Sequence, residues 1–186
     1  MNSHPDVVIR PLSFDDAVDI FNAVRESHAE LTPWMPWYHT EYSLEESRVW
    51  LEIQIPAFQQ GIEFEFAITS KDGKYLGGCG LNQIDKANLR ANLGYWVRSS
   101  VTQRGVATAA VRLLRNWGFQ NTDLARMEIV IAVGNLASHR VAEKAGATRE
   151  GIARSRLLIH GTFHDATIFS FTRGEYEGTS AVRPES

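Results

Sequence analysis

The segment Val101-Thr-Gln-Arg-Gly105-Val-Ala-Thr108 combines the features that a phosphate group asks of a protein. Gly105 and Ala107 leave the backbone unobstructed, so several N–H groups can point at one spot. A helix starting there adds the partial positive charge of its dipole, and Arg98 or Arg104 can add a full one. The same residues also make an ordinary helix start tightened by a glycine, and the loop by itself does not separate the two readings. A second set lies in Asn135-Leu-Ala-Ser138, where an amide at a strand end and a hydroxyl in the next helical turn can face an extended ligand. Helix capping is the everyday use of both residue types. Glu128, His39 and Glu65 are candidate proton acceptors, although a strand carboxylate such as Glu128 serves as readily in a structural pair with an arginine.

Other chemistries find little support. No Gly-Lys-Ser/Thr is present for a nucleotide phosphate loop, and Gly78-Cys-Gly80 lacks the third glycine and the helix of a dinucleotide fingerprint. Cys79 is the single cysteine, which excludes an intrachain disulfide and a multi-cysteine zinc site. It reads as a small buried hydrophobe. His160, His164 and Asp165 flank a turn, and no metal is expected there because a third ordered ligand is missing.

These residues need elements to hold them. The first strand is Val7-Val-Ile-Arg-Pro-Leu12, and Ser13-Phe-Asp-Asp16 and Ser43-Leu-Glu-Glu46 read as capping boxes that open two helices. Between them, Pro33-Trp34-Met-Pro36-Trp37 punctuates a loop with aromatic weight. After Gly61 the period turns to alternation, predicting three strands in an antiparallel meander ending near Val97. Val106, Ala110, Leu113, Leu114 and Trp117 share one helical face. A strand over Met127-Glu-Ile-Val-Ile-Ala-Val133, a short helix ending at Gly146 and two strands around Gly161 complete the order β-α-α-β-β-β-α-β-α-β-β. A strand, crossover helix and strand make the fourth and fifth strands parallel. The expected fold is a mixed, mostly antiparallel α/β (α+β) sheet of about seven strands with helices on both faces.

With 186 residues, 44% of them hydrophobic, the chain can bury one core, and a single domain over residues 1–175 with an unstructured tail over 176–186 is expected. The net charge of -3 argues against direct nucleic-acid binding. Fifteen arginines against four lysines favour forked contacts to phosphate and carboxylate. The N-terminus lacks the pattern of a signal peptide, and no apolar run approaches the ~18 residues of a bilayer span. A cytoplasmic protein without membrane contact is therefore expected, as monomer or homodimer.

Taken with Leu31-Thr-Pro-Trp34-Met-Pro-Trp37, Leu93-Gly-Tyr-Trp-Val97 and Arg126-Met-Glu128, the two candidate segments and Glu143-Lys-Ala-Gly146 make the chain resemble the GNAT superfamily of N-acetyltransferases, most closely its RimJ/RimL-type ribosomal-protein branch, over residues 7–173. The resemblance implies splayed fourth and fifth strands with acetyl-CoA in the gap. It implies that Gln103, Arg104, Gly105, Val106, Ala107 and Thr108 take the pyrophosphate, Val97 the thioester carbonyl and Asn135 the pantetheine arm, with Ser138 as proton donor to sulfur. Trp34, Trp37 and Tyr38 then line the acceptor side, core packing being their alternative. Two departures stand out: Thr102 begins the phosphate loop where relatives carry Gln or Arg, and Asn92 stands where many carry a glutamate suited to be the base. The expected activity is acetyl transfer to a primary amine, best matched by the α-amine of a ribosomal or other protein N-terminus. Small amines (polyamine, amino acid, antibiotic) are alternative acceptors, and a catalytically silent acyl-CoA sensor is the alternative from another class.

Overall fold

The computed structural model describes residues 6–180. Strand β1 (Val7–Pro11) leads into a single 3-10 turn and helix α1 (Ala17–Glu26), followed by a one-turn helix α2 (His28–Leu31) and helix α3 (Leu44–Gln59). The meander is β2 (Phe64–Ser70), β3 (Tyr75–Asp85) and β4 (Arg90–Val97). Then come α4 (Val106–Asn121), β5 (Arg126–Ala132), α5 (Leu136–Ala145), β6 (Thr148–Ile159), β7 (Thr162–Thr172) and α6 (Arg173–Ser180). The seven strands form one sheet in the order β1-β2-β3-β4-β5-β7-β6, in which β4 and β5 are the parallel neighbours. The fold class and the strand succession match the sequence-based expectation.

Both capping boxes form: Asp16 accepts the Ser13 N–H at 2.8 Å, and Glu46 accepts the Ser43 N–H at 2.9 Å. The Asp16 carboxylate also takes two bonds from Arg10, at 2.5 and 2.8 Å, which ties the start of α1 back to β1. Alternation along β2 and β3 sends Phe66, Ile68, Cys79 and Leu81 to one face, under α4 and α5. It sends Ala67 to the other, under α1 and α3. Two layers of helices thus cover the sheet, each over its own apolar cluster. Among the described residues no helix is long and apolar enough to cross a membrane.

Two elements differ from the expectation. The stretch after α1 contains the short α2 where only loop is predicted. The chain also stays ordered past Tyr176, as α6. Tyr176 stacks on Phe119 at 5.2 Å between centroids, and its ring receives the Arg115 guanidinium at 5.9 Å. This tertiary docking holds a helix that Gly174 and Gly178 make intrinsically weak. The remainder of the expected tail, residues 181–186, lies outside the described residues.

Candidate active site

The parallel pair β4/β5 is joined only at Arg90↔Arg126, Ala91↔Met127 and Asn92↔Glu128. Beyond these three positions the strands part, and the edge of β4 from Leu93 onward has no partner strand on that side. Charges pin the closed end. Glu128 accepts from Arg126 at 2.8 Å and faces Arg90 at 3.8 Å, while Arg126 also grips Glu150. Arg126, with help from Ser170, holds the Glu150 carboxyl down at about 2. Glu128 is therefore part of a clamp at the root of the gap and does not line the cavity described below.

At the open end, the Arg98 guanidinium is bound to Glu26 and to the Tyr75 carbonyl, so it is spent on structure and not on a ligand. Its partnership holds Glu26 at about 2. The Ser99 N–H donates to Ser27 at 3.0 Å, fixing this corner onto the end of α1. Gln103 (φ 60) and Gly105 (φ 79) are both left-handed and curl the chain into α4. No side chain caps that helix. Its first N–H groups thus face outward at the positive end of the dipole, with exposed Gln103, Arg104 and Gly105 around them and half-buried Ala107 and Thr108 behind. Val106 is buried and anchors the turn.

Across the gap, Asn135 accepts the Ser138 N–H at 3.1 Å and caps α5. Only its carbonyl oxygen is used in that bond. The Ser138 hydroxyl lies 3.0 Å from the Tyr95 hydroxyl, which in turn donates to the Ser138 carbonyl at 3.0 Å. Burial pushes the Tyr95 phenol up to about 12, so it stays protonated. Tyr95 is a residue that sequence reasoning missed: it stands two positions before Val97, and nothing in the pattern shows that it reaches α5.

A cavity of about 660 Å³ runs from Ser138 and Asn135 through the gap to the face under α1 and α3. Trp34, Trp37, Tyr42, Trp50 and Trp96 form much of its wall, and Glu46, Glu63, Glu65 and Arg156 supply its charges. The indole of Trp34 lies over Gly134, where an added Cβ would sit 3.2 Å away. His160 contacts the Thr32 carbonyl at 2.9 Å, so the β6–β7 turn braces the tryptophan loop. Tyr38 departs from expectation. It is 5% exposed, belongs to the core beneath α1 and α3, and binds His28 at 2.6 Å instead of lining the cavity. His39 pairs with Glu46 at 2.7 Å on the rim. Val97 packs against the core outside the cavity lining. Cys79 is 1% exposed, and burial raises its thiol well above the usual range, which makes it a poor nucleophile. Among the described residues no group of three or more His, Cys, Asp or Glu could hold a metal ion.

A family model described as the Acetyltransferase (GNAT) domain matches residues 6–148. The chain belongs to the GNAT acetyltransferase family. It is 32% identical over 184 residues, 96% of each chain, to a putative ribosomal N-acetyltransferase, YdaF, of Bacillus subtilis. Its fold matches RimJ of Mycobacterium smegmatis, solved with a CoA disulfide, at a TM-score of 0.81, with 25% identity over 95% of this chain and 90% of that one. A ribosomal-protein-S5-alanine acetyltransferase from Vibrio fischeri superposes at 0.83, with 22% identity over 94% and 97% of the two chains. This GNAT protein is thus an N-acetyltransferase that uses acetyl-CoA as acyl donor. The uncapped helix start, the parted strands and the cavity through the gap fit such a donor.

Proposed function

We propose that this acetyltransferase modifies the α-amine of a peptide or protein, in the cytoplasm, with a ribosomal protein as the leading class of acceptor. The observation that carries this reading is the single cavity joining Ser138 to the tryptophan-walled, carboxylate-bearing face under α1 and α3. Its volume of about 660 Å³ suits a short chain end, since ligand pockets commonly span ~300–1,000 Å³. Trp34 and Trp37 hold that end by apolar contact, and the acidic lining favours an ammonium over an anion. Two of these similar proteins, one named a putative ribosomal N-acetyltransferase and one a ribosomal-protein-S5-alanine acetyltransferase, support the same class of acceptor.

In this reading the pyrophosphate of acetyl-CoA rests on the N–H groups of residues 103–108, and the amide NH₂ of Asn135 meets the pantetheine arm. The open edge of β4 near Val97 offers its backbone to the thioester. Transfer is direct, through a ternary complex, so no enzyme nucleophile is needed. The Ser138 hydroxyl supplies a proton to the departing sulfur and regains one from solvent. An α-amine suits the site because its pKa of ~7.7–8.0 leaves far more of it neutral at pH 7 than a lysine side chain at ~10.4.

The test compares kcat/KM for a short peptide with a free N-terminus, its N-terminally blocked twin containing lysine, and spermidine. The free peptide is expected to be the best substrate. Preference for the blocked peptide or for spermidine would remove the α-amine reading.

A further inference from the structure

The sheet face under α1 and α3 carries polar side chains in two adjacent rows, the second running on through Glu128 and Ser170. Glu65, Gly80 and Gly94 are partners across β2, β3 and β4, and Asn82 pairs with Asn92 in the next row on the same face. The Glu65 carboxylate occupies the space that a side chain at Gly80 would need: an added Cβ there would meet Cδ and Oε2 at 2.2 Å. Gly80 is thus a seat for the carboxylate. The Asn82 amide donates to Glu65 Oε1 at 3.2 Å, and the Asn92 amide donates to Asn82 Oδ1 at 2.9 Å. Both amide nitrogens lie 3.8–3.9 Å from where a Gly94 Cβ would be, at the point where β4 loses its β5 partner.

This arrangement is costly to the fold. A half-buried carboxylate on the cavity wall, with one neutral donor and no cation against it, loses part of its hydration, which the single bond does not fully restore. Glu63 adds like charge, and the Tyr75 and Cys79 groups of β3 are its other titratable neighbours. Glu46 of α3 and Arg156 of β6 line the same cavity farther around its wall. Burial, aided by Glu63, pushes the Glu65 carboxyl up to about 7, where it changes charge near neutral pH. Gln54, which lines the same cavity, has a buried Oε1 without a partner.

We propose that Glu65 is the general base that deprotonates the acceptor ammonium, that Asn82, held in turn by Asn92, is the positioning residue that aims its carboxylate, and that Gln54 accepts a second N–H of the amine. Asn92 thereby keeps a part in the reaction although it bears no charge. The inference rests on the acyl-transfer reading of the cavity but not on which amine is the acceptor. One proton passes from the ammonium to Glu65, and the nitrogen lone pair forms the new C–N bond as the C–S bond breaks. The second proton leaves nitrogen to solvent, and the thiolate takes one from the Ser138 hydroxyl, which recovers a proton from solvent, so the exchange closes. Glu65 returns its proton to solvent after product leaves.

The experiment measures acetyl-CoA affinity by calorimetry and the pH profile of kcat/KM, using whichever amine the wild-type protein acetylates best. Glu65→Gln is expected to lower kcat by ~100-fold or more, within the range of general bases, and to leave acetyl-CoA affinity within about twofold. The acid limb near pH 7 should vanish. Glu65→Asp should keep that limb at a reduced rate. Asn82→Ala removes the bond that lowers the Glu65 pKa, so its limb should move to higher pH. A purely structural asparagine would leave the limb where it is. Should Glu65→Gln fail to fold, the Asp and Ala variants decide the matter through the limb alone. A Gln variant with near wild-type kcat and an unchanged profile overturns the base, and an unmoved limb in Asn82→Ala overturns the positioning role. A best substrate other than the free peptide overturns the α-amine reading and leaves Glu65 to be judged with that amine.

Discussion

On the side of the β4/β5 gap proposed to take the donor, the chain offers mostly backbone. The α4 N–H groups, the unpaired edge of β4 and the curl at Gln103 and Gly105 depend on conformation and little on side-chain identity. On the acceptor side it offers side chains gathered from separate elements: Trp34 and Trp37 from a loop, Trp50 and Gln54 from α3, Glu65 from β2, Asn82 from β3 and Arg156 from β6. The first kind of site needs only the right φ, ψ values over a few consecutive residues. The second needs strand register and helix packing to be correct together. One scaffold can therefore keep its donor while its acceptor changes by substitution on walls that leave the gap intact.

If that contrast is sound, the donor side should fail most sharply at its backbone. Gly105→Glu is expected to abolish acetyl-CoA binding in calorimetry, a loss of at least ~100-fold in affinity. The carboxylate brings negative charge to the helix start proposed to face the phosphates, and a left-handed φ of 79 resists any side chain. A circular dichroism melt controls for folding, since the position is exposed. Near wild-type affinity in this variant would detach the loop from the donor site.

A smaller effect is expected at Ser138, where the donor side does rely on a side chain. Ser138→Ala should lower kcat by ~10- to 100-fold with little change in the KM for acetyl-CoA, because in the proposed role the hydroxyl is used mainly in the transition state and water can partly replace it. The α5 cap survives the change, since Asn135 accepts from the Ser138 backbone N–H and not from its hydroxyl. An unaltered kcat in steady-state assays would reduce Ser138 to a structural partner of Tyr95.

The same contrast accounts for what the sequence makes legible. Strand order, both capping boxes, the glycine turn into α4 and the Asn135/Ser138 pair follow from local pattern, because each is written in a few consecutive residues. The Glu65–Asn82–Asn92 row does not. Pairing shifts between Ile68 and Thr69 and between Asn82 and Asp85 mean that counting along the strands cannot say which residues stand side by side. Asn92 consequently reads as a lost carboxylate in the sequence, whereas in the fold it holds the residue that holds Glu65. Glu128 shows the reverse: its strand position suits a base or a structural pair, and the fold decides for the pair, since Arg126, two residues before it and bridged to Glu150, and Arg90 across the parallel strands bind it into the clamp. Helix α2 is too short for periodicity to reveal, and α6 owes its order to Tyr176 docking on Phe119.

The acceptor side should also reveal itself through stability, and here the expected effect is the smallest. The Glu65 carboxyl is raised from 4.5 to about 7 in the folded protein, so the folded state binds its proton more tightly than the unfolded chain does. Its favourable contribution is complete below pH ~4.5 and fades as pH rises through ~7, beyond which an ionised carboxylate must be kept buried. The shift corresponds to as much as about 3 kcal/mol, at 1.36 kcal/mol per pH unit. A glutamine at this position keeps the shape and never ionises. Glu65→Gln should therefore melt up to ~6–12 °C higher than the wild-type protein at pH 8, by the usual ~2–4 °C per kcal/mol for a chain of this size, and lose most of that advantage at pH 5. A gain in stability at pH 8 together with the loss of turnover would mark Glu65 as a residue kept for chemistry at the expense of the fold. Equal melting temperatures at both pH values would mean that the carboxylate is well solvated in the open cavity, and with that the argument from its cost would fall.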